Sequence, residues 1–218
     1  MQQGAASALI RIGSIAAGIN GLLTVTIPTY VAAHPDAAID VHEVTIDNLL
    51  EGFQEGTLDL AICRESTPLP QGFGFRAALQ DGFVVVCRPR HPLTRQATVT
   101  TAELLAQRWL APPVTGLGPQ QVESLFDELG GVPELCRVSS RPTEIMHAML
   151  ADSDMLACAP ASLVRPLVQR GELAVLPWNS QAVGPLGVLA KAEMLAHQTH
   201  PSQSFTTHVL TVGGGLRH

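Results

Sequence analysis

Apolar and polar positions along the chain keep switching between a period of about two and a period of about 3.6 residues. Leu9-Ile10-Arg11-Ile12-Gly13 is a short strand-like run that ends in glycine. The small residues Ala16, Ala17 and Gly18 follow. Ile19, Leu22, Leu23, Ile27, Tyr30 and Val31 then recur at helical spacing until His34-Pro35 stops them. Ile39 to Val44 alternates apolar and polar, as a half-buried strand does. Thr45 predicts the N-cap of a helix that buries Leu49, Leu50 and Phe53 and ends at Gly56. Leu58 to Ile62 is a third strand. Three strands interleaved with two helices predict right-handed βαβ units and a parallel sheet.

Phe83 to Cys87 predicts another strand, cut off by Arg88-Pro89-Arg90-His91-Pro92. A second α/β block follows. Its strands are expected at Trp109–Ala111, Glu134–Ser139 and Met155–Ala159. Its helices are expected at Glu103–Gln107, at Pro119–Leu129 closed by Gly130-Gly131, from near Ser140 and Pro142, and at Ala161–Gln169. Gly184 to Ala190 is the last clear strand, and a final helix is expected near His200 to Leu210. Gly213-Gly214-Gly215 predicts a frayed tail, and no internal repeat is visible.

Composition sharpens this picture. Of 218 residues, 46% are hydrophobic but only 4% aromatic, so the core must be built from aliphatic side chains. Such a core suits buried strands covered by helices. A net charge of −6, with Lys191 the single lysine and no basic run, makes the chain a poor match for DNA phosphates. No apolar stretch approaches the length needed to cross a membrane. Cys63, Cys87 and Cys158 lie in or at the end of apolar runs. Neither they nor Cys136 has zinc or redox spacing, and no signal peptide is apparent, which together favour a reducing cytoplasm.

Several segments carry a family likeness. Leu9–Gly13, Gly56-Thr57-Leu58-Asp59-Leu60-Ala61-Ile62 and Val84 to Leu93 resemble, in order, the LRIG, G-x-LDLAI and LVxxxxHPL blocks of the effector domain of LysR-type transcriptional regulators. Ser139-Ser140 before a helix ending Met149-Leu150-Ala151, then Leu156 to Pro160, is similar to that family's helix–strand–LLP block. The likeness runs from residue 9 to about 210. It implies an α/β fold of two Rossmann-like lobes joined by two crossover strands, like type 2 periplasmic binding proteins. Lobe I would take residues 9–88 plus 188–212, and lobe II residues 89–187. It further implies a small-molecule effector, a homodimer or homotetramer, no cofactor and no membrane. Promoter DNA would be contacted only through an N-terminal winged helix-turn-helix that this chain lacks. Asp152-Ser153-Asp154 stands where the family commonly shows Gly-x-Gly, and Asp tolerates left-handed φ well enough to keep such a turn. A transporter's solute-binding protein of the same fold is the alternative.

Candidate chemistry gathers at strand ends. The turn Ser14, Ile15, Ala16, Ala17 and Gly18 opens a helix whose N–H groups suit an anion, unless its small residues only permit close packing. Thr45 caps a helix at the same kind of edge, and Arg64 follows the third strand, where a guanidinium could grip an anionic effector. Thr115 on the Pro112–Gly118 loop and Ser140 at a helix start are the matching candidates of the second lobe. With one tyrosine and two tryptophans, few faces exist for stacking on a bare sugar. No G-x-S-x-G elbow, P-loop or H-E-x-x-H motif is present, so no catalytic centre or metal site is expected. His197 and His200 are expected to be exposed helix-end residues, and Asp152 and Asp154 a solvated turn.

Overall fold

A computed structural model describes residues 9–66, 68–112, 119–196 and 201–216. The chain divides into two compact units, one made of residues 1–80 and 184–218, the other of residues 81–183. It therefore passes from the first to the second after Gln80 and returns after Val183.

The first unit holds β1 (Leu9–Ser14), α1 (Ala16–Ala33), β2 (Ala38–Glu43), α2 (Ile46–Gln54), β3 (Leu60–Arg64) and β4 (Phe73–Leu79). In the second unit follow β5 (Gly82–Cys87), α3 (Thr101–Leu105), β6 (Arg108–Ala111), α4 (Pro119–Leu129), β7 (Glu134–Ser139), α5 (Thr143–Ala151), β8 (Ala157–Pro160), α6 (Ala161–Gln169) and β9 (Ala174–Val183). The first unit is completed by β10 (Leu186–Lys191), α7 (Ala192–Ala196) and α8 (Pro201–Gly215).

The first unit's sheet runs β2-β1-β3-β10-β4. β1 pairs in parallel with β2 and β3, as the βαβ pattern predicts, whereas β10 is antiparallel to both β3 and β4. The sheet carries helices on both faces. Leu49 and Phe53 of α2 cluster with Ala61, Cys63 and Leu189. On the opposite face α1 and α8 meet, with Tyr30 and Phe205 edge to face at 5.0 Å between ring centroids. Arg11 and Asp59, from the first two family-like blocks, form a bidentate pair. Arg11 Nη2 lies 2.8 Å from Asp59 Oδ1 and Arg11 N donates to Asp59 Oδ2 at 2.8 Å, which fastens β1 to the start of β3.

α1 is eighteen residues long and apolar enough to cross a membrane by length and composition, contrary to the sequence expectation. It is instead partly buried in the first unit, through Ala17, Gly18, Leu22, Leu23 and Tyr30, with Gly18 beside Ile62 of β3 and Tyr30 against Phe205 of α8. A π turn over Ile19–Leu23 interrupts it, with Thr24 N–H reaching Ile19 O. The fully buried Thr26 hydroxyl is satisfied by Leu22 O at 2.9 Å. α8 continues through Gly213 to Gly215 rather than fraying. A Cβ at Gly213 would stand 2.7 Å from Ala78 O, so glycine lets this end of the helix lie against β4.

The second unit has β8-β5-β9, antiparallel throughout, and the parallel pair β6-β7. β5 buries both faces. Val85 and Cys87 join Trp109, Leu104 and Leu125 on one side, and Val86 joins Leu110, Met146 and Leu150 on the other. β5 therefore lies with β8 and β9 in the second unit, not in the first lobe where sequence order put it. Likewise Leu186 and Gly187, assigned by sequence to lobe II, pair with Arg64 and Cys63 in the first unit. The buried His91 of the HPL block accepts from Leu93 N–H through Nδ1 and contacts Asp154 O through Nε2. It closes the chain around a 3-10 turn (Pro92–Arg95).

Candidate functional site

Because β1, β2 and β3 are parallel, their C-terminal ends share one edge of the first unit's sheet, and each feeds a different group into it. Ser14 stands level with Glu43 and Ile62. Ile15 N–H bonds Ile62 O at 3.1 Å, and Val44 N–H bonds Ser14 O at 2.9 Å, which locks the three strand ends together. Ile15 then occupies the N-cap position of α1 and Thr45 that of α2, and neither side chain makes a capping hydrogen bond. Two helix N-termini thus open on one edge without a hydrogen bond between the N-cap side chain and their first N–H groups.

Within the turn, the individual residues differ. Ser14 is fully buried, and its hydroxyl donates to Ile15 O at 3.0 Å and Ile62 O at 3.4 Å. Gly18 serves packing: a Cβ there would meet Ser14 Oγ at 2.6 Å and Ile62 Cγ2 at 2.7 Å. Ala17 is buried as well, whereas Ile15 and Ala16 are half-buried. The backbone of Ile15 and Ala16, rather than a hydroxyl, is what this turn offers to a solute.

Arg64 ends β3 at the same edge, half-buried, with Nη1 donating to Gly184 O at 2.6 Å. Gly184 opens the chain's return into the first unit. On the other passage Asp81, fully buried, accepts from Ser162 N at 2.9 Å and Ser162 Oγ at 2.8 Å, and so caps the N-terminus of α6. The sequence reading missed Asp81 and Ser162. Asp81-Gly82 has the composition of a turn, and nothing local points to a helix end eighty residues away.

In the second unit, Ser140 follows β7, half-buried, and precedes the Pro142 N-cap of α5 by two residues. It is therefore outside the helix that it was expected to start. Ser139 Oγ donates to Pro112 O at 3.4 Å, which brings the end of β7 to the residue that follows β6. Thr115 itself, like His197 and His200, lies outside the described residues.

Other features do not add a site. A depression of about 280 Å³ beside β2 and α2 is walled by Glu43, Glu51 and Glu55, a charge that repels anions. Burial pushes the Cys63 and Cys158 thiols up to about 12 and Cys87 to about 11, so all three are protonated at neutral pH, Cys63 and Cys87 fully buried and Cys158 half-buried. Among the described residues no cluster of His, Cys, Asp and Glu fit for a metal ion occurs. The turn at Asp152 has no left-handed residue, since Asp152 has φ −105°. Ser153 replaces the expected geometry by donating to Met149 O at 2.6 Å and accepting from Met155 N–H.

Two α/β units connected by two passages, each with a parallel strand pair whose ends face loops and helix starts, make a fold like the type 2 periplasmic binding proteins. Residues 3–210 match the model of the LysR substrate binding domain, and the chain belongs to that family. It is 29% identical over 185 residues to the HTH-type transcriptional regulator GbpR of Azospirillum brasilense, covering 84% of this chain and 54% of GbpR. The chain spans about half the length of such curated relatives, which are transcriptional regulators rather than enzymes. HinK, a LysR family transcriptional regulator from Pseudomonas aeruginosa, superposes with a TM-score of 0.81 at 19% identity, over 97% of this chain and 72% of that one. The effector binding domain of QuiR in complex with shikimate gives 0.76 at 17% identity, over 96% and 98%. These two likenesses concern the fold.

Proposed function

We propose that this chain is the effector-sensing and oligomerisation domain of a LysR-type transcriptional regulator. It works in the cytoplasm as a homodimer or homotetramer, while a separate segment of the regulator contacts promoter DNA. Its effector is a small anion. The observation that carries this reading is the convergence of two helix N-termini, neither hydrogen-bonded to its N-cap side chain, and one arginine on a single sheet edge. Partial positive charge and oriented N–H groups stand there before a ligand arrives, which suits a carboxylate. The first unit's contacts are assigned to Ser14–Gly18, through the backbone at Ile15 and Ala16, and to Thr45 and Arg64. Those of the second unit are assigned to Ser140 and Thr115. Charge-assisted hydrogen bonds contribute roughly 1.5–3 kcal/mol each. Two or three of them supply roughly 3–9 kcal/mol toward binding before association costs.

Calorimetry with shikimate, benzoate, citrate and inorganic phosphate, set against neutral galactose and glucose, tests the reading. One or more anions should bind, and Ala16→Asp, which places a negative charge at the helix start, should abolish that binding while the fold is retained. Unchanged anion binding in folded Ala16→Asp, or binding of the neutral sugars alone, overturns it.

A further inference from the structure

The chain passes between its units twice, and a single charged side chain fastens the backbone at each passage. At the first, Asp81 bonds the N–H and hydroxyl of Ser162. At the second, Arg64 bonds the carbonyl of Gly184.

The two fastenings differ in what can release them. Asp81 is fully buried, so no solute reaches it, and its partners lie inside the second unit. Arg64 is half-buried at the end of β3, next to the strand end from which α1 departs, and it holds a neutral amide oxygen. A carboxylate or phosphate is a better acceptor for a guanidinium than a carbonyl, because it adds the attraction of opposite charges and can accept from two N–H groups at once. The passage lies between the pairing of Val183 with Gly82 and the start of β10. Pro185 has no N–H to donate, and ladder pairing with β3 begins only at Leu186.

We propose that Arg64 is a positioning residue that couples anion occupancy to the return passage. An anion at the edge draws the guanidinium from the Gly184 carbonyl and frees the backbone at 184–185, while the passage at Asp81 stays fixed. This rests on the anion-binding reading above. By linkage, whatever strengthens the Arg64–Gly184 bond weakens the anion by the same factor.

Hydrogen–deuterium exchange of the whole chain, run beside calorimetry with shikimate, benzoate, citrate and inorganic phosphate, tests the coupling. A saturating probe should speed exchange of the peptide 180–188 by about fivefold, as the backbone opens more readily once the Gly184 carbonyl is released, and leave 78–84 unchanged. In Arg64→Ala the 180–188 peptide should exchange fast at the outset and not respond to the probe. Arg64→Gln serves in its place if that variant does not fold. A probe that binds wild type without changing 180–188, or that changes it equally in the Arg64 variants, overturns the coupling and leaves the anion site intact. If none of these anions binds, the anion-binding reading fails and the coupling with it.

Discussion

Replacing Asp81 with alanine removes a fully buried carboxylate from the N-terminus of α6. Two charge-assisted hydrogen bonds disappear, at 2.9 and 2.8 Å, and Ser162 keeps a buried N–H and a buried hydroxyl without these partners. Hydrogen bonds to a charged group contribute about 1.5–3 kcal/mol each, and a favourable charge at a helix N-terminus adds about 0.3–1 kcal/mol. The water that enters the vacated space offsets part of this, and about 3 kcal/mol is the expected net loss. That is a large share of a domain stability of roughly 5–15 kcal/mol. Both tryptophans, Trp109 and Trp178, lie in the second unit and pack in one cluster, so tryptophan emission reports the unfolding of the unit that Asp81 supports. With a urea slope of about 1.5 kcal/mol per molar, the midpoint should fall by about 2 M. Asp81→Asn retains an acceptor for the Ser162 N–H and should lose about half as much. A midpoint in Asp81→Ala within about 0.3 M of wild type, a change under about 0.5 kcal/mol, would show that the carboxylate does not hold α6.

Three further outcomes follow from packing and burial. Gly18→Ala forces a methyl toward Ser14 Oγ and Ile62 Cγ2 and should cost about 1–3 kcal/mol in chemical denaturation. A variant as stable as wild type would show that α1 can lift off β3 freely. Cys63 and Cys87 should resist a thiol reagent at pH 8 in the folded protein and react at once in urea; a rapid reaction of either in native buffer contradicts their burial. Their folded pKa values, about 11 to 12, lie above the ordinary 9.0. The unfolded chain therefore gives up these protons first as pH rises. The stability they contribute is complete below pH 9 and is lost as pH climbs toward 11 and 12, which urea midpoints across that range would register.

The alternation and helical spacing of the first sixty residues were enough to place β1, α1, β2, α2 and β3, although β2 is half-buried only at Ala38 and Ile39 and exposed beyond them. Gly56 and Gly130, with φ of +68° and +78°, mark helix ends where the sequence put them. β4 escaped notice although Phe73, Phe75, Ala77 and Leu79 alternate correctly, since Gly74 and Arg76 between them weaken the strand signal. β9 was hidden by Pro177. The strand accepts that proline because four residue steps, Val175 to Asn179, oppose only two in β5, Val84 to Val86, and the irregularity takes up the missing N–H. Of the candidate site, the residues given by strand order, Ser14, Thr45 and Arg64, do fall on one edge of the first unit. What each side chain does there was not legible. Ser14 turns inward and Arg64 takes a carbonyl, because both choices depend on residues far away in sequence, Ile62 and Gly184.

The order β2-β1-β3-β10-β4 also governs how the first unit is made during synthesis. Among the described residues β4 pairs in its sheet with β10 alone, and about a hundred residues separate the two in the chain. While the ribosome extends residues 80 to 185, Phe73, Phe75 and Leu79 wait beside an open seam that β3 also borders. The contiguous second unit can meanwhile collapse on contacts within itself. Closure of the seam is a late, non-local event, and loop-closure entropy makes such events slow. A chain ended just before Leu186 would carry a complete second unit and an unfinished first one with two exposed strand edges, which are templates for association with other chains.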